Sequence, residues 1–274
     1  MALIEHVWPW MRQPQGAVDL DPRWGLKPAL VFAPSIGAGW VYGSSLSSSA
    51  GQPGRSVVLP GGTQTSANVA TKSGGVTTAQ TKCTFVCVAR LTSSSSYSTL
   101  AALKYSAANQ GLYLGDTLGE GNDVGIIKGG VAALSSVRLS YGATYVIVAS
   151  HRQDTGEYYV LARDVATNQV LRNSQTDTLA STAGNGTYCV GSARSDGVTG
   201  SFAGDIYLSF GSFDWLQESS GRQILANPWQ IFAPIERRIW VPGEAPGGVP
   251  SITAVYAENI TATSADYRVT LDYA

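Results

Sequence analysis

The sequence predicts an all-β fold: one antiparallel sandwich or jelly roll, with extended arms at both ends. Three observations predict it. Short runs of apolar, β-branched and aromatic residues follow one another from residue 84 to 210, separated by Gly, Asn and Asp turns. Helical periodicity is confined to Trp215–Leu225. Proline crowds the first stretch, and a Gly/Pro run sits near the end.

The elements follow in chain order. Residues 1–30 form an extended N-terminal arm, because Pro9, Pro14, Pro22 and Pro28 prevent a long helix or a central strand. Its Trp8, Trp10 and Trp24 must dock, either on this chain's own body or on a neighbouring chain. The body spans 31–234. Gly43–Gly75 is rich in Ser, Gly and Thr and reads as loops around one strand, Ser56–Leu59. Strands are then expected over Thr84–Leu91, Tyr97–Tyr105, Gly111–Leu114, Val124–Lys128 and Val137–Leu139. Ala143–Ser150 is the strongest, with an apolar run suited to burial on both faces. It forms a hairpin with Glu157–Asp164 through the turn Gln153–Gly156. Thr187–Ser192 and Gly204–Phe210 complete the set. Residues 235–274 form a linker and a C-terminal strand arm. There Val269, Leu271 and Tyr273 alternate with Arg268, Thr270 and Asp272. Strands behind a Gly/Pro linker make no core of their own, so they are expected to add to this chain's sheet or to another's.

Composition excludes several classes. The chain has 274 residues, 14% charged, with a net charge of −1. No basic excess exists to neutralise phosphates, so nucleic acid is not an expected partner. No apolar run is long enough to span a bilayer, and no signal peptide is read at Met1–His6. Cys83 and Cys87 share a strand face roughly 13 Å apart, beyond disulfide reach. Three buried free thiols are the expectation, although Cys189 could meet one of them across a core. No CxxC pair accompanies His6 and His151, so zinc is not expected. No G-x-S-x-G elbow, phosphate-binding loop or dinucleotide fingerprint occurs. His151 is read as a strand-end histidine rather than a catalytic base. Sugar binding needs aromatic faces beside polar groups, and Tyr113 and Tyr158 are the candidates. Tyr158 and Tyr159 point to opposite faces, so one of the two is core.

The segment Ser201–Phe210 followed by Trp215 and a short helix resembles the closing motif of LamG/concanavalin A-like domains. Tyr145–Ser150, the Gly156 turn and Tyr158–Leu161 resemble the central hairpin of the same family. The resemblance covers about Val31–Phe232 and implies a concanavalin A-like (LamG-type) sandwich. Arg12–Gly16 with Leu30–Ala33, Asn227–Pro242 and Tyr267–Tyr273 are similar to the ends of LamG-like proteins of tailed-phage structural modules. That likeness implies a non-enzymatic virion component of tail or baseplate, assembled in the host cytoplasm among other virion proteins and its own copies. The alternatives are a carbohydrate-binding tail module that reads a host surface glycan, or a capsid decoration protein.

Five of the seven tryptophans, Trp8, Trp10, Trp24, Trp229 and Trp240, lie in the arms or at the last residues of the body beside them. With Val269, Leu271 and Tyr273 they are the expected interface anchors. Glucanases of the resembled fold place acidic residues at alternate positions of one strand. No strand here has that pattern, and among the glutamates only Glu157 lies on an expected strand, so hydrolysis is not expected. No cofactor is expected beyond a candidate calcium. Relatives of that fold hold calcium with loop oxygens, and Asp116, Glu120 and Asp123 cluster in a Gly-rich loop; a plain solvated loop is the competing reading.

Overall fold

Two apolar runs, Lys82–Ser93 and Thr144–Arg152, become neighbouring strands buried on both faces, and the fold is built around them. The computed structural model describes residues 20–33, 40–49, 56–63, 66–74, 77–93, 98–104, 110–115, 122–128, 131–177, 186–191, 199–232, 251–258 and 266–272. The chain divides into two units, 1–235 and 236–274.

The strands of the first unit are β1 (Pro28–Phe32), β2 (Val41–Tyr42), β3 (Ser47–Ser49), β4 (Ser56–Thr63), β5 (Ala70–Ser73), β6 (Lys82–Ser93), β7 (Ser98–Lys104), β8 (Gln110–Gly115), β9 (Asp123–Lys128), β10 (Val131–Arg138), β11 (Thr144–Arg152), β12 (Glu157–Asp164), β13 (Val170–Thr176), β14 (Thr187–Val190) and β15 (Thr199–Ser212). Helix α1 (Glu218–Ala226) follows them. The second unit contains β16 (Ser251–Glu258) and β17 (Asp266–Asp272).

One sheet runs β13-β12-β11-β6-β15, with β4 and β1 sharing the far edge of β15 and β3 outside β4. The other runs β10-β9-β8-β7-β14-β5-β2. Pairing is antiparallel throughout, apart from one parallel bridge, Ser201 to Thr99, where the two sheets meet. The architecture is an all-β antiparallel sandwich of the jelly-roll, concanavalin A-like class.

Between the sheets lies a core that includes Phe85, Cys87, Leu100, Leu112, Ile126, Ile147, Tyr158 and Val160. A second core covers the outer face of the first sheet. There Val86, Val88, Val146, Val148, Tyr159 and Leu161 pack beneath Trp24, Ile224, Leu225, Trp229 and Ile231. β15 also serves both cores, and a bulge between Ile206 and Leu208 shifts the phase of its alternation. Ile206 points inward, whereas Leu208 and Phe210 point outward.

Several expectations need correction. The N-terminal arm does not extend to residue 30. Leu20 bridges Phe232, the Asp21 N–H donates to the Ile231 carbonyl at 2.8 Å, and β1 pairs with β15. Trp24 is 8% exposed and its Nε1 donates to the Gln230 carbonyl at 2.6 Å. Trp229 is 7% exposed. Both are therefore consumed by this chain's own second core and cannot anchor a neighbour. The stretch Gly43–Gly75, expected to be loops around one strand, also contains β3 and β5, and β2 lies just before it. β10 begins at Val131 rather than Val137, and β13 lies where the sequence predicts no strand. β16 and β17 pair with each other, Val255 opposite Val269 and Ile252 opposite Leu271, instead of standing as lone strands. Trp8, Trp10, Trp240 and Tyr273 lie outside the described residues.

Candidate functional site

The β11–β12 hairpin forms with Tyr145 opposite Asp164 and His151 opposite Tyr158. Its turn end carries Arg152 and Glu157 on the outer face, the face that Tyr159 also shares. β13 adds Ser174 and Thr176. The segment between β15 and α1 supplies Trp215, Gln217 and Glu218. Together with Gln175 and the Tyr158 position they line a groove of about 470 Å³, within the ~300–1,000 Å³ range of small-molecule sites.

A buried polar network positions Trp215. The Leu216 N–H donates to Thr84 Oγ1 at 3.1 Å and to Ser150 Oγ at 3.2 Å. Thr84 Oγ1 and Ser150 Oγ lie 2.8 Å apart, and Thr84 Oγ1 donates to the Asp214 carbonyl at 2.8 Å. The Tyr159 hydroxyl donates to the Leu216 carbonyl at 2.9 Å. Its ring meets Trp215 edge-on, with centroids 5.5 Å apart. α1 lies close against this ring because position 221 is glycine. A Cβ there would come 2.7 Å from the Tyr159 hydroxyl oxygen. Arg163 holds the other end of α1, donating to the Leu225 and Ala226 carbonyls at 2.9 and 3.0 Å. Trp215 is thus a half-buried ring on a rigid support.

The groove's charges are paired. Arg152 lies over the Trp215 ring at 5.2 Å and bonds Glu157 through Nε and Nη2. Thr155 Oγ1 donates to Glu157 at 2.9 Å. Thr155 and Arg152 together hold the Glu157 carboxyl below its ordinary range. Arg172 and Arg222 both bond Glu218, at 2.7 and 2.8 Å, and lower its pKa in the same way, Arg172 foremost. Both carboxylates therefore stay ionised near neutral pH, and neither stands as a proton donor.

The other candidates fall elsewhere. Tyr158 is 1% exposed, its hydroxyl donating to the Ala133 carbonyl at 3.1 Å. Tyr113 is 7% exposed. Neither ring offers a face to a sugar; contrary to the expectation, these tyrosines are packing residues. Asp123 is 2% exposed and takes a two-pronged bond from Arg138, at 2.7 and 3.0 Å. The guanidinium bonds both its oxygens, so Asp123 is held in a buried ion pair. Asp116 and Glu120 lie outside the described residues. Among the described residues no group of three or more His, Cys, Asp or Glu could hold a metal. The three cysteines are buried thiols, none of them in a disulfide. His151 is fully buried, with Nε2 3.1 Å from the Asp177 carbonyl. Burial, then the charge of Lys128, lowers its pKa.

Sequence reasoning missed Trp215, Arg152 and the β13 side chains as a site. A lone tryptophan between the last strand and the helix was the one signal that could have pointed there.

No protein-family model matches the chain, and no curated protein matches it in sequence. Solved structures share its fold. A GH54 α-L-arabinofuranosidase variant, soaked with a nitrophenyl arabinofuranoside, is 9% identical at a TM-score of 0.50, over 88% of this chain and 60% of that one. The CBM40 of a Ruminococcus gnavus IT-sialidase bound to sialyllactose is 12% identical at 0.46, over 73% and 99%. Tailspike protein 2 of an Escherichia coli bacteriophage is 13% identical at 0.41, over 73% and 29%. At these identities the likeness concerns the fold.

Proposed function

We propose that the chain is a non-catalytic glycan-binding module of a tailed-phage virion, with the groove beside Trp215 as its sugar site. The observation that carries this reading is Trp215 itself. It is an aromatic ring held half-exposed by buried hydrogen bonds, beside a ring of polar side chains. Two ionised carboxylates without a proton donor favour binding over cleavage. The virion setting rests on the resemblance of the chain's two ends to tail and baseplate proteins. The test is a glycan array of bacterial surface polysaccharides followed by calorimetry. The native chain is expected to bind at least one of them. Trp215→Ala should lose tenfold or more, about 1.4 kcal/mol, in a chain that stays folded by circular dichroism although its lost packing on Tyr159 lowers the melting temperature. Binding indifferent to Trp215→Ala, or no binding at all, would overturn the reading.

A docking role for the second unit is a companion proposal. β16 and β17 form a two-stranded sheet, which is marginal by itself and presents two outer edges. In this reading β17, with Val269 and Leu271, adds to a neighbouring subunit's sheet, and Trp8, Trp10, Trp240 and Tyr273 contribute contacts. Truncation after Pro250 should leave a folded body that no longer enters virions. Normal incorporation would sink this role.

A further inference from the structure

We infer that the groove selects a neutral, hydroxyl-rich glycan and discriminates against acidic sugars. This rests on the glycan-binding reading and goes on to its ligand class. The argument comes from which hydrogen-bonding groups are already committed. The one guanidinium among the groove's lining residues, Arg152, pairs with Glu157, and Arg172 and Arg222, outside the lining, both bond the lining carboxylate Glu218. A carboxylate or sulfate on a sugar calls for an uncommitted cation in bidentate geometry. The open groups are of another kind. Ser174, Thr176 and Gln217 are exposed, line the groove, and have no side-chain hydrogen bond among the described residues. On Glu157 the bonds from Arg152 and Thr155 all converge on Oε2, so Oε1 remains an acceptor. Two hydroxyls, an amide and one carboxylate oxygen match the donors and acceptors of sugar hydroxyls. The same carboxylate oxygen repels an anion brought against it.

The test uses the full chain and two sets of probes. One is neutral: lactose, cellobiose and maltose oligosaccharides. The other is acidic: sialyllactose and oligogalacturonates. Calorimetry should show the best neutral probe binding at least tenfold more tightly than any acidic one. Glu157→Gln removes the repelling oxygen and releases Arg152. It should weaken the neutral probe at least fivefold and strengthen the acidic ones. Ser174→Ala, a milder change, should weaken the neutral probe severalfold without altering the melting temperature. Acidic probes that bind as tightly as neutral ones, with that binding lost in Trp215→Ala, would overturn the inference while leaving the glycan reading intact. Failure of every probe to bind would overturn both.

Discussion

The two faces of the first sheet meet different fates. The inner face, with Phe85, Ile147, Tyr158 and Val160, is consumed entirely by the opposite sheet. The outer face, with Val86, Val148, Tyr159 and Leu161, is covered by α1 and by the segments around Trp24 and Trp229. That cover stops short of the β11–β12 turn, and there the groove opens. The same strands thus carry a core on one side and both a core and a site on the other. The extent of the cover decides how much sheet is left for a ligand.

Truncating each face measures how unequal they are. Phe85→Ala, at a fully buried inner position, should cost about 4–5 kcal/mol, and Trp229→Ala about 3, within the range for large aromatic truncations. Equal losses in chemical denaturation would mean that the cover is as integral as the inter-sheet core. Gly204→Val attacks the strand that serves both cores. Gly204 has φ +148°, and a Cβ there would come 2.0 Å from the Arg90 carbonyl oxygen. A loss of about 1–3 kcal/mol is expected, and an unchanged melting temperature would contradict the assigned pairing of β15 with β6.

A pH titration probes the inner face at its rim. His151 sits at the end of β11, facing Lys128, Cys83, Tyr158, Asp177 and Asp154. Its folded pKa lies below its ordinary value of 6.5. Below that value the unfolded chain takes up the proton first, so stability is intact above pH 6.5 and falls as the pH drops through it. His151→Gln should flatten the stability profile between about pH 7 and 5. A profile equally steep in the variant would assign the slope to other groups. The smallest effect belongs to the groove rim. Glu218→Gln breaks a partly exposed network with Arg172 and Arg222 and should cost under about 1 kcal/mol, with reduced sensitivity to salt.

The inner face was the legible one. β11 and β12 read correctly because apolar runs without helical spacing, joined by a Gly turn, have few other solutions. The outer face was harder. β13 is polar at most positions, its residues alternating between exposed and half-buried, and it resembles a loop in composition. β1 hides behind Pro28, which sits at the first strand position, where the missing N–H does no harm. Alternation alone showed that Tyr158 and Tyr159 part company, but which of them faces the inter-sheet core depends on register with β6. The groove joins Arg152 to Trp215 across more than sixty residues of sequence. Thr84 and Ser150 fix that join, and both read as ordinary strand residues.

The bridge between Leu20 and Phe232 has a topological consequence. The chain enters and leaves the sandwich at one corner, side by side. A domain wired in this way behaves as a cassette: it can be inserted into a host loop through two adjacent joints without stretching either. It can also be circularly permuted, by splicing residue 232 to residue 20 through a short linker and opening the chain at the exposed Tyr141–Gly142 turn. Such a permutant would keep both faces of the first sheet intact while moving its point of attachment to the opposite end of β11 from the groove.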